Sequence, residues 1–174
     1  MKRIGILLLI SLVLLPATAF SQRKRTAASK PKSSNASLAA QRATEIRTEG
    51  ATRVADQIKL LTRFIYLLGG VTSGIAAVDE AARRNEASPA VIQKNQQSKA
   101  TVRTSVQGFR EALDKLEIDF RATPELQPYY IKLAGVANGA ATAEQQAAAN
   151  QFDASGRSLL TVVNKLTDVL LAMR

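Results

Sequence analysis

The chain of 174 residues is 46% apolar and 22% charged, has no Cys, His or Trp, and carries a formal net charge of +10. That length supports a single domain with tails. The missing residue types exclude a disulfide framework, thiolate zinc or iron–sulfur ligation, and any triad, metal site or haem that depends on His.

Met1-Lys2-Arg3 is a short basic start, Ile4 to Leu15 is an apolar run, and Ala17-Thr18-Ala19 has the small-x-small pattern of a signal-peptidase site. This three-part layout predicts a secretory signal over residues 1–19. The cut is expected after Ala19, with Ser21 as the second choice. The apolar run is shorter than the roughly 20 residues that span a bilayer. A retained anchor would also leave Arg23-Lys24-Arg25 on the non-cytoplasmic side, against the usual charge bias. The expected location is therefore periplasmic or secreted. No Cys follows the run, which excludes lipoprotein processing.

Residues 20–36 carry Arg23, Lys24, Arg25, Lys30 and Lys32 with no acid, and Phe20 is their only large apolar side chain. Such a segment buries too little surface to offset its ordering entropy, so a disordered basic tail is expected. It reads either as a solubilising spacer or as a contact for anionic envelope polymers or lipid headgroups. Asn35-Ala36-Ser37 fits the N-glycosylation pattern, a weak motif relevant only in a eukaryotic secretory pathway.

From residue 37 to 174 the sequence predicts a helical-bundle domain. Apolar and small residues recur in threes and fours at Leu38, Ile46, Gly50, Val54, Ile58, Leu61, Ile65, Leu68, Ile75, Val78 and Ala82, the period of one helix face. Ser37 is the expected N-cap. Leu60, Phe64, Leu67 and Val71 widen the stripe, which implies contact with more than one partner element. Gly69-Gly70 is the one candidate kink, yet the apolar phase runs across it, so a single helix to about Asn85 is expected. Gly70-x-x-x-Gly74 would admit a neighbouring helix at close range.

Ser88-Pro89 reads as N-cap and first helical residue. A second helix to about Arg121 then shows Val102, Val106, Phe109, Leu113, Leu116 and Phe120 in a 4-3-4-3-4 register, a coiled-coil-like seam. The short turn makes the two helices antiparallel neighbours. Thr123-Pro124 repeats the cap-plus-Pro signal, and Tyr129, Tyr130, Leu133 and Val136 begin a third apolar face. Asn138-Gly139 is the expected break, with Thr142 and Gln145 restarting a last helix as a capping box. The fold class that results is all-α: an elongated antiparallel bundle of three to four long helices with coiled-coil-like packing.

Catalytic chemistry is hard to place on this chain. Asp114 and Glu117 lie beside Glu111, but the di-metal bundles that use inward carboxylates pair them with Glu-x-x-His ligands. Ser98-Lys99, and Thr161 near Lys165, sit in no recognisable Ser-x-x-Lys element. There is no phosphate-binding or dinucleotide fingerprint. The protein is therefore read as non-enzymatic, with no metal and no cofactor. Asp79 and Glu80 with Arg83 and Arg84, and Glu111 with Lys115, read as surface pairs.

Charge is the more informative feature. Of the 24 bases, two lie in residues 1–19 and five in 20–36, leaving 17 in the bundle against all 14 acids. The second helix is basic in its first half and acidic in its second, the reverse of what the helix dipole favours. Candidate contacts for an anionic partner are Arg23, Lys24, Arg25, Lys30 and Lys32, joined by Lys94, Lys99 and Arg103. The functional expectation is an envelope-associated scaffold or a binding protein for an anionic polymer, a lipid surface or a client protein. Two alternatives stand beside it. One is a carrier of a small apolar ligand held between helices near Gly70, Gly74, Tyr129 and Tyr130. The other is a coiled-coil spacer that self-associates. Specific nucleic-acid binding is not expected of an exported chain.

Overall fold

A computed structural model describes residues 33–174, which are all-α with no strand among the described residues. The signal, the basic residues at 23–32 and the disorder expected of most of the tail lie outside that range. Five helices follow in order: α1 Ser33–Arg83, α2 Pro89–Ala122, α3 Gln127–Leu133, α4 Val136–Ala148 and α5 Phe152–Ala172. Four of them, α1, α2, α4 and α5, pack antiparallel in a closed ring, α1 on α2, α2 on α4, α4 on α5 and α5 on α1. The short α3 closes one end against α2 and α5.

Helix α1 begins at Ser33, so residues 33–36 are helical and Ser37 lies inside the helix. It runs unbroken through Gly69-Gly70 for 51 residues, about 76 Å at 1.5 Å per residue. Val54, Leu61, Leu68 and Ile75 are buried at strict seven-residue intervals. That heptad spacing keeps one seam on the core. Helix α2 answers with Val102, Val106, Leu113, Leu116 and Phe120, all buried, and Phe109 meets Phe64 edge to face at 5.0 Å. Ser88 is the N-cap of α2, its Oγ accepting from the Val91 N–H at 3.5 Å, with Pro89 in the first turn.

The α1–α2 turn is a left-handed Asn cap. Asn85 has φ 59°, and the Glu86 N–H donates back to Ala81 O at 2.8 Å. This is the six-to-one bond of a Schellman motif. The same device ends α4: Asn150 has φ 59° and the Gln151 N–H donates to Gln146 O at 2.8 Å. The break expected at Asn138-Gly139 therefore lies elsewhere, at Ala134-Gly135 and at 149–151. Gly135 adopts φ 86°, a conformation open to Gly without strain, and starts α4. Gly139 sits within α4, where a Cβ would come 2.9 Å from Val162 Cγ2, so it lets α4 and α5 close on each other. Thr142 is interior to α4 and its Oγ1 donates to Asn138 O at 3.1 Å. It caps nothing.

Helix α5 runs antiparallel along α1. Its end reaches Gly50, where a Cβ would lie 3.2 Å from Met173 Cε, and its start reaches Leu68, 3.2 Å from a Cβ on Gly156. The apolar stretch 159–173 thus covers the first half of the α1 seam. Beyond Leu68 and Val102 only α1 and α2 continue, as a two-helix arm. The other end is also bare. Partly buried α1 side chains that pack on the core begin at Ile46, so the preceding dozen residues overhang the bundle.

Candidate functional site

Inside the arm a polar layer replaces apolar packing. Asp79 Oδ1 accepts from Lys99 Nζ at 2.7 Å and from Asn95 Nδ2 at 2.8 Å, and Asn95 Nδ2 also reaches Ile75 O at 3.4 Å. Asn95 and Lys99 are buried, at 7% and 8% exposure. Both occupy the α2 seam, which reads 95, 99, 102, 106, 109, 113, 116 and 120 without a gap in its 4-3 register. The polar first half of α2 is therefore a continuation of the seam in hydrophilic residues. A buried polar layer of this kind fixes the register of two helices at some cost in stability.

This changes the standing of two candidate anion contacts. Lys99 is committed to Asp79 and has little surface left for a partner. Arg103 is half-buried and its Nη2 donates to Asn150 Oδ1 at 2.6 Å, tying α2 to the α4–α5 turn. Lys94 alone of the three bundle cations is exposed and without an ion-pair partner. Asp79 likewise faces α2 rather than Arg83, and Glu80 takes Arg83 at 2.9 Å and Arg84 at 3.7 Å. Glu111 accepts from Gln107 at 2.9 Å instead of pairing with Lys115.

The reversed charge order of α2 has a structural use. Arg110 pairs with Glu144 of α4 at 2.6 Å, Asp119 with Arg53 of α1 at 3.0 Å, and Glu117 Oε1 accepts the Ala137 N–H at 2.7 Å. Glu117 thereby serves the N-terminus of α4, whose own cap position is Gly135 and supplies no side chain. A carboxylate there meets both an orphan donor and the positive end of the helix.

The residues suggested for a ligand pocket are not brought together. Gly70 and Gly74 are exposed on α1, and a Cβ on either would meet nothing within 4 Å. No neighbouring helix among the described residues approaches them. Tyr129 and Tyr130 are half-buried on α3 and pack on the core. Gly50 touches Leu126 just ahead of α3, so Gly70 lies about 30 Å further along α1 from that end.

An open, mainly apolar groove of about 430 Å³ lies between α1 and α2, with Phe64, Leu67 and Val71 on one wall and Ser98, Thr101 and Ser105 on the other. A more polar groove of about 360 Å³ follows on the same pair of helices, lined by Arg53, Asp56, Lys115 and Asp119. Ser98 Oγ donates to Lys94 O at 3.2 Å and Thr161 Oγ1 to Arg157 O at 3.2 Å, so each hydroxyl is engaged by its own helix. Among the described residues no group of three or more carboxylates is placed to hold a metal ion. By length and composition alone α1 is also apolar enough to cross a membrane. Comparison with protein-family models, with curated proteins and with solved structures gives no match for this chain.

Proposed function

We propose that the protein is an exported, non-enzymatic helical scaffold that holds to an anionic surface through the basic segment ahead of its bundle. The observation that carries this reading is the separation of charge. Residues 20–32 hold five cations and no acid, whereas the bundle ties Arg53, Lys99, Arg103 and Arg110 to acceptors of its own. Arg23, Lys24, Arg25, Lys30 and Lys32 are the contacts, with Lys94 a minor one. Clustered cations bind anionic polymer or lipid headgroups with strong salt dependence. Helix α1 starts directly after this segment.

The test is sedimentation with phosphatidylglycerol vesicles, phosphatidylcholine vesicles serving as the neutral reference. A chain starting at Phe20 is compared with one starting at Ser33, both of which keep the whole described bundle. Binding to the anionic vesicles by the longer chain alone, lost as salt rises, is the expected result. Equal binding by both chains, or binding indifferent to salt, overturns the reading.

A further inference from the structure

The outer face of the α1–α2 pair carries a second seam that nothing among the described residues covers. On α1 it is Leu60, Phe64, Leu67, Val71, Gly74 and Val78, again at 4-3-4-3-4 spacing. Leu60 is 52% exposed, Leu67 55% and Val71 40%, so these side chains contribute little to the core. Facing them across the groove, α2 presents Lys94, Ser98, Thr101, Ser105, Gly108 and Ala112, at 4-3-4-3-4 spacing too, and a Cβ on Gly108 would meet open space. From Leu60 to Val71 the α1 wall is a ridge of large apolar side chains, interrupted beyond by Gly74. From Ser98 to Ala112 the α2 wall is a trough of small ones, with Lys94 at its end.

We propose that this face is the interface of a homodimer, with the ridge of each copy seated in the trough of the other. A patch that is half ridge and half trough is complementary to itself under a two-fold axis, the condition for an isologous contact. The axis runs parallel to the helices. It sets α1 of one copy over α2 of its partner at the same height, bringing Leu67 and Val71 against the partner's trough at Ser98 and Thr101, which line the same groove. An axis across the helices would stack ridge on ridge and leave both troughs empty.

Charge agrees with that choice. Asp56 and Lys115 line the second groove at one height, on α1 and α2 respectively. The parallel axis sets each Asp56 opposite the other copy's Lys115, twice per dimer. Among the described residues Asp56 pairs only with exposed Lys59, at 3.1 Å, and Lys115 with no acid. Residues 53–78 run about 37 Å, and a face two helices wide over that length buries on the order of 600 Å² per copy. The total of about 1,200 Å² is at the lower edge of stable interfaces.

The test is sedimentation equilibrium of the chain from Phe20. A dimer at micromolar concentration is expected. Leu67→Glu should weaken it by about 100-fold while helicity stays unchanged, because the side chain is exposed in the single chain; the thermal midpoint should fall only by the stability that association supplies. The chain has no Cys, so single cysteines report the axis cleanly. Copies carrying Leu67→Cys, mixed with copies carrying Ser98→Cys, should cross-link on mild oxidation, whereas Leu67→Cys alone should not. A monomer up to millimolar concentration overturns the proposal, as does a dimer indifferent to Leu67→Glu. Preferred cross-linking of Leu67→Cys to itself refutes the axis. Loss of vesicle binding on Leu67→Glu substitution in a chain that is monomeric before the substitution would assign the face to lipid instead.

Discussion

Two donors converge on one carboxylate oxygen of Asp79, and that side chain decides whether the arm can keep Lys99 buried. Removing the acid leaves an ammonium with little access to water, whereas replacing the lysine by an apolar chain of similar length removes charge and demand together. Asp79→Ala should therefore destabilise the protein by about 2–3 kcal/mol, and Lys99→Met by less than about 1 kcal/mol. Urea unfolding of the two variants checks the order. Ser155 presents the opposite case. It is fully buried in α5 and its Oγ has no hydrogen-bond partner. An unmade hydrogen bond in the core costs about 1–3 kcal/mol, so Ser155→Ala should raise stability, read as a higher thermal midpoint. Neither role was legible in the sequence, because sequence period assigns a face but not a partner. Asp79 lies on the α1 seam, and its four-residue neighbour Arg83 is the simpler match on paper.

The helix ends show where local signals compete. Ser88-Pro89 was readable because cap and Pro reinforce each other, and the structure places the α2 start there. The end of α4 was not, because Asn150 follows a run of Ala that by propensity continues a helix. Asn-Gly at 138–139 offered the stronger left-handed signal, yet Gly139 is held helical by its close contact with Val162. Packing outweighed turn chemistry at that point. Gly139→Val should overpack the α4–α5 contact and lower stability by about 1–3 kcal/mol, measurable by urea unfolding. At the start of α4 the cap comes from another helix, a relation no local pattern encodes. Glu117→Ala should cost about 1 kcal/mol, and amide exchange should rise first in the opening turn of α4.

At the scale of the whole molecule the four-helix antiparallel arrangement was legible, since long apolar periods and short turns leave few other ways to close a core. The lengths of the pieces matter more than their number. Helices α4 and α5 are 13 and 21 residues long against 51 for α1, so the bundle cannot cover α1 from end to end. A chain starting at Glu45 should lose helical signal in proportion to the residues removed, with its thermal midpoint unchanged within a few degrees. Circular dichroism reads both quantities. The candidate binding surfaces were only half visible in sequence. The extra stripe at Leu60, Phe64, Leu67 and Val71 stood out, but whether another helix of the same chain lay over it depended on where α4 ended.

The continuity of α1 through Gly69-Gly70 has a mechanical consequence. A single rod of about 76 Å joins the end next to the basic segment to the tip of the arm. If the first is held at a surface, the second is a standoff whose height is set by residue count rather than by any joint. Inserting seven residues into the overhang, one heptad, should lift the tip by about 10 Å while turning it through only about 20°. Inserting two would rotate everything beyond by more than half a turn. Fluorescence transfer between a vesicle surface and a label at Glu86 would measure that height.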